Sequence, residues 1–260
     1  MNIREIAKLN PCYCEINREE RNYAAIFFAA LCMPGNKEKF LTANGFTQPI
    51  GKDFGIYFEY AYLRDLWYNI KDENIKKDII RQKLDIKGID DILKLPLKEI
   101  NQKFGVGGEA SSEYLQFPGK WAIVKYDRNF PDNTTEANDD FLKICRFKWS
   151  FNIKPDIVIH LDKDTAICIE AKYESCEGCY PASDVEKEIF KKRGIKYVGQ
   201  MELQKYMMEE LLGIQTNFMF LVKKKEKSDT HQVISWDEAF SSIDISGLPE
   251  FSKTMIKNIS

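Results

Sequence analysis

Two carboxylates and an ammonium lie close together in the stretch PDIVIHLDKDTAICIEAK, residues 155–172: Asp156 follows a proline, and Glu170, Ala171 and Lys172 end an apolar run. Alternation places Asp156, Val158 and His160 on one face of a first strand and Ile157, Ile159 and Leu161 on the other. In a second strand Ile167, Ile169 and Ala171 share the apolar face, while Cys168, Glu170 and Lys172 point the opposite way. Asp162 to Asp164 reads as a hairpin turn, so antiparallel pairing brings Asp156 beside Glu170 and Lys172 on one polar surface. Such a group suits a hard divalent cation and a phosphodiester. Mg²⁺ or Mn²⁺ takes a few carboxylate oxygens and completes its shell with water and substrate phosphate. It polarises phosphorus and makes hydroxide near neutral pH, while Lys172 orients or helps deprotonate the attacking water. The backbone carbonyl of Ala171 supplies one more oxygen ligand. His160 shares the face of Asp156 and reads equally as a satisfied strand histidine.

The Pro-Asp, the spacer and the Glu-X-Lys across a hairpin resemble the signature of the PD-(D/E)XK nuclease superfamily. The resemblance implies a metal-dependent phosphodiester hydrolase with Asp156, Glu170 and Lys172 at its centre. Downstream, GQMELQKYMMEELLG spans Gly199 to Gly213 as a helix with glycine at each end. It is similar to the Gln-X-X-X-Tyr helix of the RecB-like branch, with a departure. Tyr206 is in place, but the residue four before it is Glu202, and the glutamines are Gln200 and Gln204. These stand one turn apart and could reach substrate phosphate or the lysine if that face meets the hairpin. Leu203, Met207 and Leu211 form a core stripe on the same helix, which alone would leave the polar residues facing water.

The superfamily often adds a glutamate from an early core helix, and Asn17 to Cys32 is the candidate. Ala24, Phe27, Phe28 and Leu31 form its apolar face, and Glu20 lies on the stripe 20, 24, 27, 31. Glu20 is therefore expected to join Asp156, Glu170 and the Ala171 carbonyl around the metal. The competing reading is a capping box, with Asn17 as N-cap and Glu20 folding back onto it.

The formal net charge of −2, from 38 basic and 40 acidic residues, means that any nucleic-acid contact is local. Lysine clusters fall at 76–83, 191–196 and 223–227. The middle one, between the Glu-X-Lys strand and the Gln200 helix, is the best placed. Lys191, Lys192, Arg193, Gln204 and Tyr206 are the expected substrate contacts, with DNA favoured over RNA, and a homodimer or a defence-system partner is an open expectation. Two rivals remain: an RNA-directed nuclease, and a nucleic-acid-binding or assembly module of the same fold that does not cut.

Seven cysteines, an odd count, speak against a secreted disulfide framework. Cys32, Cys145 and Cys168 fall in apolar settings and read as small core residues. Cys12 and Cys14, with Cys176 and Cys179, could supply four thiolates for Zn²⁺ or an iron–sulfur cluster, in the extreme as a structural site in a non-enzymatic adaptor. Nothing in the spacing brings the two pairs together. No apolar run has membrane-spanning length, and the charged start lacks a secretion-signal stretch, so a cytoplasmic location is expected.

With 260 residues, 44% apolar and 13% aromatic, the chain can bury a sizeable core. The pattern predicts an α/β fold as one domain over 1–260: a central mixed sheet flanked by helices, the restriction-endonuclease-like core that the resemblance implies. A helical and loop insertion is expected at about 46–115. KWAIVKY, residues 120–126, reads as a strand, Thr135 to Arg146 as a helix, and Ser183 to Glu186 as the capping box of a helix closing at Gly194. NFMFLVKKK reads as a strand, and HQVISWDEAF as a strand turning into a last helix. GVGG at 105–108 lacks the Lys-Ser/Thr of a phosphate-binding loop.

Overall fold

The computed structural model describes residues 6–8, 12–47, 55–106, 110–129, 134–174, 177–224 and 231–259. Contacts divide the chain into two compact units. The first comprises Met1–Tyr60, Pro155–Cys176 and Gln215–Ser260; the second comprises Ala61–Lys154 and Glu177–Ile214.

The first unit is α/β and is built on a five-stranded mixed sheet: β1 (Gly55–Phe58), β2 (Ile157–His160), β3 (Thr165–Ala171), β4 (Gln215–Val222) and β5 (Gln232–Ser235), in that spatial order. The pairs β1/β2 and β2/β3 are antiparallel, and β3/β4 and β4/β5 are parallel. Ile157 faces Ile169 and Val158 faces Cys168, so the expected hairpin register holds. Its turn is closed by the Asp162 carboxylate, which accepts the N–H groups of Asp164 and Thr165 at 2.8 Å each.

Ile157, Ile159, Leu161, Ile167, Ile169 and Ala171 all point into one core. There they meet Tyr23, Ala24, Phe27, Ala30 and Leu31 of the helix Glu20–Leu31, together with Trp236, Phe240, Met255 and Ile259. Phe27 packs edge-on against Phe40, Trp236 and Phe240. The opposite face is not a solvated one: Val158, Cys168 and Glu170 are buried as well, and β2 is buried along its whole length. The expectation of an exposed polar surface is corrected here. Alternation separates two faces but does not say what covers each.

Other departures have local causes. KWAIVKY does not form a strand; Ile123–Asn129 is a helix, with Ile123 and Tyr126 buried one turn apart and Trp121 stacked on Phe104 at 4.0 Å. Short apolar runs are ambiguous by periodicity, and tertiary packing decides them. The stretch expected as an insertion begins with edge strand β1, in the first unit, before its helices Tyr62–Asn69, Glu73–Leu84, Ile89–Leu93 and Leu97–Lys103 in the second. Helix Thr135–Ser150 runs one turn further than expected. Helix Trp236–Ser241 is followed by another, Glu250–Ile259, whose Met255, Ile256 and Ile259 are buried. Cys145 and Cys168 are buried as read, but Cys32 is exposed, because it caps the end of its helix.

In the second unit, Ser183 accepts the N–H of Glu186 at the start of helix Asp184–Arg193, and Gly194 closes it at φ +67°. The expected helix from Gly199 is α-helical only over Gln200–Lys205 and continues as a π-helical turn, Tyr206–Leu211. Among the described residues no helix is long and apolar enough to cross a membrane.

One tie joins the first unit's core to its chemistry. The indole N–H of Trp236, 1% exposed, donates to the Lys172 carbonyl at 3.0 Å. Trp236→Phe removes that bond and opens a cavity, so urea unfolding is expected to show a loss of about 2–4 kcal/mol. A loss below about 0.5 kcal/mol would mean that the bond contributes nothing.

Candidate functional site

Extending the β2/β3 register by one step sets Asp156 opposite Glu170, as the hairpin reading requires. Asp156 is held from both sides. Its carboxylate Oδ2 accepts the N–H of Ala171 at 2.8 Å, and its own carbonyl accepts the N–H of Glu59 at 2.9 Å. Glu170, 2% exposed, meets Lys172, 9% exposed, through an Oε1 to Nζ contact of 2.7 Å. The backbone of Lys172 is pinned as well, because its N–H donates to Leu221 of β4 at 2.7 Å.

Glu20 arrives from the other layer. It is the first residue of its helix, Glu19 is the N-cap, and Asn17 instead accepts the N–H of Glu19 at 2.9 Å. The expected capping box is therefore absent. The Glu20 carboxylate turns to β3, accepting the N–H of Tyr173 at 3.3 Å with its Oε2 and standing 3.9 Å from Lys172 Nζ with its Oε1. Asp156, Glu170, Lys172 and Glu20 are thus brought together in the first unit, and the backbone of Ala171 lies among them.

The electrostatics follow from crowding. Burial, then the negative charge of Glu170, push the Asp156 carboxyl up to about 7, against the N–H of Ala171 and the charge of Lys172, which favour its ionised form. Burial pulls the Lys172 ammonium down, but Glu170, Glu20 and Asp156 together lift it above its ordinary value, so it is a cation at neutral pH. Among the described residues no group of three or more His, Cys, Asp or Glu side chains stands ready to hold a metal ion. The ammonium of Lys172, set between the two glutamates, supplies the positive charge here. The Asp156 and Glu170 oxygens are nonetheless hard donors, and a carboxyl raised by burial and by its neighbour's charge is one that a divalent cation would return to its ionised form. Asp156 and Glu170 could hold such an ion as a pair, with the Ala171 backbone beside them; Glu20, expected as a third side-chain ligand, is not gathered with them into such a group.

The remaining expected residues belong to the second unit. Gln200 opens helix Gln200–Lys205, and its N–H donates to the carbonyl of Gly178 at 2.8 Å. Gln204 is fully buried, and burial raises the phenol of Tyr206 to about 12. Glu202, four residues before Tyr206, pairs with Arg146. Lys191 and Lys192 are exposed in the last turn of helix Asp184–Arg193. Arg193 is buried, bonded to Asp127 at 2.7 Å and laid over the ring of Phe141 at 4.4 Å. That guanidinium is occupied in packing the unit.

His160 is satisfied: its Nε2 meets the Tyr60 hydroxyl at 2.7 Å, and its Nδ1 lies 3.3 Å from the Asp162 carbonyl. Cys12 and Cys14 lie in the first unit with their sulfurs 3.2 Å apart, Cys179 is exposed in the second, and Cys176 falls outside the described residues. Sequence reading missed two residues beside the site, Tyr173 and Trp236. Their only signal was an aromatic next to Glu-X-Lys and another at the start of a helix.

No protein-family model, no curated protein and no solved structure matches the chain.

The raised Asp156 carboxyl makes stability depend on pH. Between its ordinary value of 3.8 and about 7, the folded chain holds a proton that the unfolded chain has released, so stability falls as pH rises through that window. Asp156→Asn keeps an acceptor for the Ala171 N–H and removes the titration. In EDTA, the variant should gain on wild type between pH 4 and pH 8, by at most about 4 kcal/mol at roughly 1.4 kcal/mol per unit. Parallel urea-unfolding profiles for the two proteins would show that Asp156 ionises normally.

Proposed function

We propose that the chain is a metal-dependent nuclease of the PD-(D/E)XK kind, with the first unit as a restriction-endonuclease-like core and DNA as its substrate. The observation that carries this reading is the convergence of Asp156 and Glu170 with the Lys172 ammonium 2.7 Å from Glu170 and Glu20 close by. A purely structural ion pair would need neither Asp156 opposite it nor a second glutamate delivered from a helix. The setting of the site in restriction, repair or phage defence is part of the same proposal.

A bound Mg²⁺ or Mn²⁺ would supply Lewis-acid polarisation of the phosphate and an activated water. Asp156 and Glu170 would hold it, and the hydrogen bond from Ala171 keeps Asp156 in place. Lys172, protonated at neutral pH, acts as a donor: it orients the attacking water and steadies negative charge on the phosphate oxygens rather than removing the proton. Glu20 stands 3.9 Å from the Lys172 ammonium as a second carboxylate beside it, and its bond to the Tyr173 N–H fixes the strand end that carries Lys172. Burial strengthens each of these interactions by excluding water.

The test must respect that burial. Alanine at Glu170 or Lys172 strands the other member of a buried pair, at a cost of about 3–5 kcal/mol, so it confuses folding with chemistry. The neutral isosteres Asp156→Asn, Glu170→Gln and Lys172→Gln keep hydrogen-bonding atoms in place. On single- and double-stranded DNA and RNA, wild type should cut with Mg²⁺ or Mn²⁺ and stop in EDTA. Each isostere, folded by circular dichroism, should cut at least about a hundredfold more slowly. Cutting of RNA alone would select the RNA-directed reading. Binding without cutting on every substrate would select the silent module, and cutting that survives Lys172→Gln would place the chemistry elsewhere.

A further inference from the structure

Beside the carboxylates stands a cation that no acidic group among the described residues claims. Lys223 follows the last residue of β4, and the parallel register, Ala171 against Leu221, sets it across from Tyr173, two residues past the end of β3. Its Nζ donates to the Tyr173 hydroxyl at 3.0 Å and lies 4.5 Å from the centre of that ring. No carboxylate reaches it within ion-pair distance among the described residues, although Glu170 and Glu174 belong to this strand end and Glu20 reaches it from its helix. Those acids engage Lys172 and Arg18 instead.

Lys223 is half-buried, and its position is fixed. The Tyr173 ring that carries it is buried and stacked on Tyr23 at 5.2 Å, and the Tyr23 hydroxyl donates to the Asn17 carbonyl at 2.8 Å. A neutral phenol and a ring face offset only part of the cost of taking an ammonium out of water. An ammonium has three donors, and among the described residues one bond of Lys223 is seen, to the Tyr173 hydroxyl. The same tyrosine holds Glu20 through its backbone N–H, so a single side-chain length separates the lysine's anchor from the catalytic cluster. A fixed ammonium held by a phenol and a ring face, with no carboxylate partner among the described residues, at the end of parallel strands is suited to an anionic oxygen group.

We infer that Lys223 binds a non-reacting phosphate of the substrate strand, next to the scissile one. This rests on the nuclease reading for its location and not for its chemistry. Tyr173 acts as a positioning residue, setting the lysine and Glu20 from its two ends.

The experiment compares wild type, Lys223→Met and Lys223→Arg on labelled DNA strands and duplexes. Binding is titrated across salt with Ca²⁺ in place of Mg²⁺, and cleavage is measured with Mg²⁺. Losing one phosphate contact should weaken binding about fivefold at physiological salt and lower the slope of log K against log salt by about one. KM should rise to match, kcat should stay within about threefold, and Lys223→Arg should restore most of the affinity. Unchanged affinity and slope in a folded Lys223→Met, or a loss seen only as lowered thermal stability, would overturn the inference while leaving the nuclease intact. If wild type binds DNA without cutting and the slope still falls, the nuclease reading fails and the phosphate contact stands. If wild type neither binds nor cuts DNA, both fall.

Discussion

The buried pair of Glu170 and Lys172, 2.7 Å apart and nearly sealed from water, is the constraint on which the first unit depends. Charges this deep are tolerated only when each has a partner with good geometry, and a buried pair of this kind often contributes little net stability. It must therefore be held by other interactions, and β3 supplies them. One face of the strand is Ile167, Ile169 and Ala171 in dry contact with the aromatic core. The backbone of Lys172 is bonded to Leu221 on one side and to Trp236 on the other. The hydrophobic core thus fixes a strand whose opposite face carries charges that could not position themselves.

Glu20 shows the same dependence in a helix. A glutamate in a first turn is ordinarily solvated or engaged in its own cap. Here Tyr23, Ala24, Phe27 and Leu31 seat the helix on the sheet, and the N-cap falls at Glu19, which leaves the Glu20 carboxylate free to reach across to β3. The packing of large aromatic side chains sets the distance between two acids and a lysine.

What the sequence disclosed follows from which signals are local. Strict alternation over 157–161 and 167–171 identified both strands, their inward faces and the pairing of Asp156 with Glu170, because the period of a strand is two and a turn fixes its register. The stripe 20, 24, 27, 31 put Glu20 on the side of its helix that meets β3, where it takes the Tyr173 N–H, although the rival cap was equally consistent with the letters. Burial of the charged face was not legible, since a polar pattern indicates orientation and not cover. Nor was edge strand β1, four residues within a charged stretch that reads as helix, or the packing of Arg193, whose place in a lysine-rich run suggested a surface. Tyr173 and Trp236 escaped notice because their roles run through backbone groups of other residues, which no side-chain motif encodes.

Charge balance then limits what the site can accept. Three carboxylates, Asp156, Glu170 and Glu20, gather near one ammonium, Lys172, and that surplus adds to burial, the larger cause, in raising the Asp156 carboxyl. A phosphodiester approaching such a cluster meets net negative charge in a medium that screens it poorly. Phosphate chemistry there requires more positive charge than the four residues hold. A divalent ion between the acids would correct the balance at the reacting phosphorus, and Lys223, placed by Tyr173 at the adjoining strand end, would do so one phosphate away. The deficit that makes the isolated cluster unfavourable is therefore the same feature that would make it selective for a metal and a polyanion arriving together.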